Sequence, residues 1–303
     1  MAVRIDQEGR PSVPRRNASP ASSALPRWEP ALENSAASPL GASEHPGYRI
    51  EALAKGLRIL SMFDEQRPSW RVSDLSTVSG LPMPTVYRVV MTLMSEGYLD
   101  HLPSGVYRPG VRTLTLGTAA LRSLDFVEIA TPKLTELSRC TGETSNMAVL
   151  SGDRLLYLVR LRNADLVTAN IQVGSTLPAV HTSIGKLLLS YLDEADLETR
   201  ITPASFSANS GPNAKASLDE LREELGTIRD QGWAIQDEEL AYGLRSVAAP
   251  ITGPDGRVIA GANLAVQAHD WSTQRIILEL RPAVQASCTQ ISALLSDTNV
   301  GQR

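Results

Sequence analysis

This chain is short of several things that would settle its class at once. Cysteine occurs only as Cys140 and Cys288. Neither sits in a CxxC or other ligand spacing, which excludes a disulfide framework or a thiolate metal site; both are expected at buried helix positions. No apolar run approaches the ~18 residues of a membrane span, and the N-terminus lacks the apolar core of a signal peptide. The expectation is a cytoplasmic protein with no membrane partner. Positive charge is scarce as well, with 29 Lys and Arg against 33 Asp and Glu and an isoelectric point near 5.7. That balance excludes a protein that coats nucleic acid by charge alone, but a few placed arginines, doubled by a dimer, still suffice for specific phosphate contacts.

Catalytic signatures are also missing. There is no GxSxG, P-loop, GxGxxG or HExxH, hence no local signal for an activated serine, a phosphate cradle or a zinc-bound water. No cofactor and no metal are expected. His45, His101, His181 and His269 fall in separate elements without ligand spacing, so each reads as a turn or packing residue. The Asp237-Glu238-Glu239 run reads as a solvated or capping acidic stretch, because adjacent residues point apart and make a poor acid–base pair.

What is present divides by composition. Residues 1–47 are rich in Pro, Ser, Ala and Arg, with scattered Leu25, Trp28, Leu32 and Leu40 and no helical or strand period. They read as a disordered tail, or as the product of an upstream start site. Arginines such as Arg15 and Arg16 could brush phosphates, but Asp6, Glu8, Glu29, Glu33 and Glu44 offset them.

Residues 48–110 carry the densest pattern. Leu53, Leu57 and Leu60 with Phe63 predict an amphipathic scaffold helix. Ser73 as N-cap, Asp74 in the first turn, and Leu75 with Val78 as a buried stripe predict a second helix, which Gly80 ends. Leu81 then re-enters the core. Pro82 and Pro84 place the next helix start, since proline is tolerated where an amide has no intrahelical partner. In that helix Val86, Val90 and Leu93 face inward, which turns Pro84, Arg88, Met91 and Ser95 outward with Thr85 and Tyr87 beside them. Tyr98-Leu99-Asp100, a Ser104-Gly105 turn and Val106-Tyr107-Arg108 predict a two-strand wing, where Arg108 would reach phosphate. Helix, glycine turn, helix and hairpin make a winged helix-turn-helix, with a plain helical hairpin as the bland alternative. The candidate DNA-binding residues are Arg71, Ser73, Pro84, Thr85, Tyr87, Arg88 and Arg108, with Arg88 the best single choice.

Residues 111–126 predict a linker helix with Leu114, Leu121 and Leu124 around small Gly117 and Ala120, broken at Asp125-Phe126. It serves either as a dimer contact or as packing on its own domain. Residues 127–297 open and close with helices, which argues for an α+β domain around an antiparallel sheet. Thr144 to Leu150, Arg154 to Arg160 and Val167 to Val173 predict strands, with a hairpin turn at Ser151-Gly152-Asp153. Helices follow over about Ser183 to Leu192 and Leu218 to Gln231, the latter ended by Gly232. Strands Ser246 to Thr252 and Val258 to Gln267, joined at Gly253-Pro254-Asp255-Gly256, precede a long helix over Thr273 to Ser296.

Taken in order, SGLPMPTVYRVVMTLMSEGYL, the LDFVEIATPKLTEL helix, GSTLPAVHTSIGKLLLSYL and GWAIQDEELAYGLRSVAAPI resemble the IclR family of bacterial transcriptional regulators. The resemblance spans about Ile50 to Ser296. The TLPAVHTSIGK tract is similar to the branch that controls protocatechuate, 4-hydroxybenzoate and related aromatic-acid catabolism. The resemblance implies an N-terminal winged helix-turn-helix, a linker helix and a C-terminal GAF/PAS-like effector-binding domain. It also implies homodimers or homotetramers, with double-stranded operator DNA and a small organic acid as partners. The family's effector pocket maps onto Ser183, Ile184, Gln236, Ser246, Asn263 and Ala265. Glyoxylate-responsive members carry a Gly-Ala pair, an Asp, a Cys and two Ser there, so this pocket is more apolar and lacks a carboxylate. That is consistent with a larger, partly aromatic acid. Arg160 or Arg245 would pair its carboxylate, although Arg245 reads rather as a surface ion-pair partner. Asn146, Met147 and Asn170 are wall candidates by strand position. The rival reading is an enzyme that converts its small molecule and uses the helix-turn-helix only for assembly; the missing catalytic motifs disfavour it.

Overall fold

The computed structural model describes residues 49–64, 67–162, 171–206 and 210–300. The N-terminal tail and Asn170 lie outside the described residues. The N-terminal unit is built from α1 (Glu51–Leu60), α2 (Val72–Ser79), α3 (Met83–Ser95), β1 (Leu99–His101) and β2 (Tyr107–Pro109). Gly80 ends α2 in a left-handed conformation with φ of 69°, which a side chain would strain. Pro82 then caps α3, and Pro84 sits in its first turn. The two strands pair antiparallel, with Leu99 opposite Pro109. Ile59, Trp70, Leu75, Val86, Val90, Leu99 and Tyr107 form one small core.

Three local expectations change. Leu53 and Leu57 are exposed (58% and 55%), and Ile59 is the buried residue of α1. Two residues turn a helix by roughly 200°, so the Leu53–Leu57 row faces away from the row that Ile59 occupies. Helix α2 starts at Val72, with Arg71 at its cap and no side-chain capping bond; Ser73 Oγ donates to Asp74 Oδ1 instead, at 3.0 Å. Ser79, one turn beyond Leu75, is buried, while Val78 is exposed.

Helix α4 (Val111–Arg122) buries none of its residues. The break falls at Ser123-Leu124, and Asp125 opens α5 (Asp125–Thr141), where a carboxylate suits the positive end of the helix. Leu121 and Leu124 pack against the C-terminal core, but Leu114 is exposed. Cys140 is exposed on α5, contrary to expectation, and Cys288 is buried.

The C-terminal domain is a six-stranded antiparallel sheet in the order β5-β4-β3-β8-β7-β6. Its strands are β3 (Thr144–Ser151), β4 (Arg154–Leu161), β5 (Thr176–Pro178), β6 (Ala234–Asp237), β7 (Leu244–Thr252) and β8 (Val258–Gln267). The third strand is β5, paired with β4 through Leu155 and Leu177. The described residues Ile171 to Val173, where that strand was expected to end, lie outside any strand. One face of the sheet packs on α5 and on the terminal helix, which runs through α9 (Thr273–Arg275), a π turn at Ile276–Leu280 and α10 (Arg281–Val300). The π turn precedes Pro282, which has no N–H to donate back along the helix.

The opposite face carries α6 (Ser183–Ser190), with α7 (Glu194–Arg200) and α8 (Leu218–Gln231) over it. Helix α6 sits very close to the sheet: a Cβ on Gly261 would lie 2.7 Å from Ile184 Cγ2. Neither α7 nor β6 was expected, since both are short. No helix among the described residues is long and apolar enough to cross a membrane.

Candidate functional site

Two surfaces stand out, one at each end of the described chain. In the N-terminal unit a groove runs between the starts of α2 and α3 and the wing. Arg71, Val72, Ser73, Met83, Pro84, Tyr87, Gly105 and Tyr107 line it. Arg88 lies one turn beyond Pro84 on the exposed face of α3, Tyr87 is 51% exposed, and Thr85 is half-buried. Arg71, Ser73, Pro84 and Tyr87 therefore share one surface, and Arg88 extends it. Arg108 sits opposite Asp100 on the wing, with Nε 3.5 Å from its carboxylate. An exposed pair of this kind is weak and leaves the guanidinium able to exchange partners.

In the C-terminal domain a narrow cleft of about 20 Å³ opens where α6 meets the sheet, room for about one water molecule, so a larger ligand enters only as the walls part. Strand register assembles its polar floor. Asn146 on β3 stands opposite both Arg160 on β4 and Asn263 on β8, while Ser246 on β7 stands opposite both Ala265 and Gln236. Directly paired residues of antiparallel strands share a face, so two cross-strand rows converge here.

Their hydrogen bonds form one directional chain. Arg160 Nη1 donates to Asn146 Oδ1 (3.1 Å), Asn146 Nδ2 to Asn263 Oδ1 (2.8 Å) and Asn263 Nδ2 to Ser183 Oγ (3.2 Å). Ser183 and Ser246 hydroxyls are 2.7 Å apart, Ser246 Oγ donates to Gln236 Oε1 at 3.4 Å, and Gln236 Nε2 donates to the Leu244 carbonyl at 3.2 Å. Donors aligned in one direction polarise one another, with the guanidinium at the head. Asn146, Ser183, Gln236, Ser246 and Asn263 are all buried, so each depends on these partners.

Apolar walls come from Ile171, Leu240, Leu244 and Ala265. Tyr157 also faces the cleft; burial pushes its hydroxyl up to about 12, against the opposing charge of Arg160. The phenol therefore stays neutral throughout the physiological range.

The expected residues do not all gather. Asn146, Arg160, Gln236, Ser246, Asn263 and Ala265 line the cleft, and Ser183 joins their bond chain. Met147 points the other way, into the core beneath α5 and α10, because neighbouring strand residues alternate faces. Ile184 also leaves the cleft: it packs on Gly261 in the core around α6, about 100° round the helix from Ser183. Arg245 is held by Asp237 (2.6 Å) and Glu238 (3.4 Å) and donates to the Ala268 and Trp271 carbonyls.

The acidic run is not simply solvated. Glu239 is 6% exposed, and its carboxyl is raised above the usual range by burial, with the Lys186 ammonium acting against that shift. His181 is fully buried against the edge of Phe206, and burial together with Lys186 lowers its pKa, so it packs as a neutral ring.

Tyr157, Ile171, Thr182, Leu240 and Leu244 were not expected at the site. Tyr157 was hidden by a bulge: strand register slips between Met147 and Ala148, so that Leu158 and Val159 both face the α10 side. Tyr157 and Arg160 thereby share a face although three residues apart. Thr182 had a readable signal, since its Oγ1 accepts from the Gly185 N–H and caps α6.

A winged helix-turn-helix joined to a sheet domain with a buried polar cleft defines a class of DNA-binding regulators that carry a sensor domain. Comparison with known proteins narrows it. Residues 118–293 match the model of the bacterial transcriptional regulator IclR C-terminal domain, and residues 52–103 match the IclR helix-turn-helix domain. The chain is 33% identical over 217 residues to the HTH-type transcriptional regulator XynR of Escherichia coli K12, covering 71% of this chain and 86% of that one. It is also 33% identical over 264 residues to the Pca regulon regulatory protein of Pseudomonas putida, covering 84% and 89%. An IclR homolog from Microbacterium hydrocarbonoxydans, solved in complex with 4-hydroxybenzoate, has the same fold: its TM-score is 0.63 at 24% identity, with 80% of this chain and 98% of that one covered. The chain belongs to the IclR family of bacterial transcriptional regulators.

Proposed function

We propose that this regulator senses a small aromatic carboxylate in the cleft beside α6 and transmits its occupancy to a helix-turn-helix bound at an operator. The observation that carries the ligand class is the bond chain from Arg160 to Gln236, set between apolar walls. Arg160 at its head supplies a bidentate partner for a carboxylate. Ile171, Leu240 and Leu244 offer apolar area for a ring, and Asn146, Asn263, Ser246, Gln236 and Tyr157 offer polar groups that fix its orientation. The Pca regulon regulator and the 4-hydroxybenzoate complex support the same chemistry by analogy. Met147, Ile184 and Arg245 are left out of the contact set on geometry.

At the other end we assign Pro84, Thr85, Tyr87 and Arg88 to base edges in the major groove, and Arg71, Ser73 and Arg108 to phosphates. Two copies supply the phosphate contacts that a single acidic chain lacks. The exposed faces of α1 (Leu53, Leu57) and α4 (Val111, Leu114) are the surfaces for that pairing. Effector binding then shifts the population of reader placements, and with it the match to half-sites about 34 Å apart or a multiple of that.

The direct test is calorimetry of the full chain with 4-hydroxybenzoate, protocatechuate and short oxo acids. Binding of the aromatic acids, lost in Arg160→Ala, is expected; preference for a short oxo acid would overturn the aromatic assignment. Incubation with the bound acid should return it unchanged, and turnover would favour the enzymatic alternative.

A further inference from the structure

A buried ion cluster stands beside the cleft and has no part in the contacts above. Lys186, one turn into α6, has no solvent exposure. Its Nζ donates to Glu239 Oε1 at 2.6 Å and to Glu224 Oε1 on α8. Taking an ammonium out of water is unfavourable unless carboxylates answer its charge, so its place in the interior depends on these two partners.

Glu239 belongs to the connection 238–243 between β6 and β7. That connection also carries Leu240 and ends at Leu244, the apolar walls on this side of the cleft. It is tied down tightly. Glu238 adopts a φ of 54°, the one positive value among described non-glycine residues. Its Oε2 accepts from the Gly243 N–H at 2.8 Å, and its own N–H donates to the Leu244 carbonyl at 3.0 Å. Outside it, the Gly211 N–H donates to the Glu239 carbonyl at 2.7 Å. The approach is so close that a Cβ on Gly211 would lie 1.9 Å from the Glu238 carbonyl oxygen. On the opposite side, α6 begins with Thr182, which lines the cleft, and Ser183, which belongs to the bond chain. Lys186 therefore ties the helix that starts at the cleft to the connection that walls it.

We infer that Lys186 and Glu239 are a positioning pair for the effector cleft: they hold the 238–243 connection against α6 and so set where Leu240 and Leu244 stand as its walls. Neither residue touches the ligand. The inference rests on reading the cleft as the effector site, and it adds two residues to that site.

Amide hydrogen exchange on the full chain, wild type against Glu239→Gln, tests the pair without any ligand. Glutamine keeps the shape and leaves Lys186 paired with Glu224, so this variant should fold. At least tenfold faster exchange is expected at Glu238 and Gly243, with β3 and β8 unchanged. Unaltered exchange in the connection overturns the inference. Calorimetry with 4-hydroxybenzoate as probe gives the second measurement: Glu239→Gln should bind at least tenfold more weakly. The double variant Lys186→Met/Glu239→Gln should lose no more than the worse single variant, because the two residues act as one unit. Additive losses also overturn the pair. If Lys186→Met alone fails to fold, Glu239→Gln carries both measurements. A wild type that ignores the probe while Glu239→Gln still loosens the connection supports the clamp and overturns only the aromatic assignment.

Discussion

Tyr87 and Arg88 on α3 point into solvent, whereas Asn146, Asn263, Ser183 and Ser246 in the cleft are buried and bonded to one another. The contrast fits what each region is proposed to meet. A DNA-reading face gains its partners from outside and is best left open; a small-molecule cleft is closed, so its polar groups must satisfy each other until a ligand replaces some of their bonds. The same contrast governs mutation. Changes on α3 should alter binding with little cost to folding, while changes in the cleft should touch both.

The largest effect separates core from wall. Ile184→Ala should lower unfolding free energy by about 2–5 kcal/mol, measured by urea denaturation, because Ile184 packs fully buried on Gly261. A loss below ~1 kcal/mol would return Ile184 to the cleft. Next, Arg160→Ala should weaken aromatic-acid binding by about 2–4 kcal/mol in calorimetry, since it removes the charged head of the bond chain. Unchanged affinity would sink Arg160 as the carboxylate partner. Asn263→Leu strands Asn146 and Ser183 without their shared amide, and should cost about 1–3 kcal/mol of stability along with ligand affinity. Loss of affinity with stability intact would show that the cleft behaves like the open face.

At the DNA end, Arg88→Ala should cost about 1–3 kcal/mol of operator affinity per half-site and relax base preference, with its melting temperature retained. A melting shift with unchanged DNA affinity would collapse the contrast. The smallest expected effect on the fold of one copy is Leu53→Ser, within ~0.5 kcal/mol of wild-type stability because Leu53 is 58% exposed. Its cost should show instead as a loss that grows on dilution, and a loss independent of concentration would remove α1 from the pairing surface.

Much of the helix-turn-helix was legible because its signals are local. Gly80, Pro82 and Pro84 mark a turn and a helix start within a few residues, and Gly232 ends α8 at the expected place. Failures arose where facing had to be decided. Leu53 and Leu57 keep helical spacing, yet spacing alone does not say which stripe meets the core, and Ile59 does. In the sheet, Asn263 was reached through the family resemblance and Asn146 by strand position alone, which also admitted its neighbour Met147, while Tyr157 stayed hidden because a bulge in the β3–β4 pairing resets the count. The acidic run read as solvated or capping because adjacent residues point apart; the partner that accompanies Glu239 into the interior, Lys186, lies 53 residues away.

By itself the sequence determined the winged helix-turn-helix and most of the element order, and its resemblance to the family pointed to Ser183, Gln236, Ser246 and Asn263. The elements are written in turns, caps and periodic patterns that act over a few residues; the cleft residues came through the resemblance. Only the tertiary structure decided which side chains meet: the bond chain from Arg160 to Gln236 across β4, β3, β8, β7 and β6, the exclusion of Met147 and Ile184, and the Lys186–Glu239 contact. Those depend on strand register, one bulge and the close seating of α6 on Gly261, and long-range packing of this kind leaves no mark within the local windows that a sequence pattern reads.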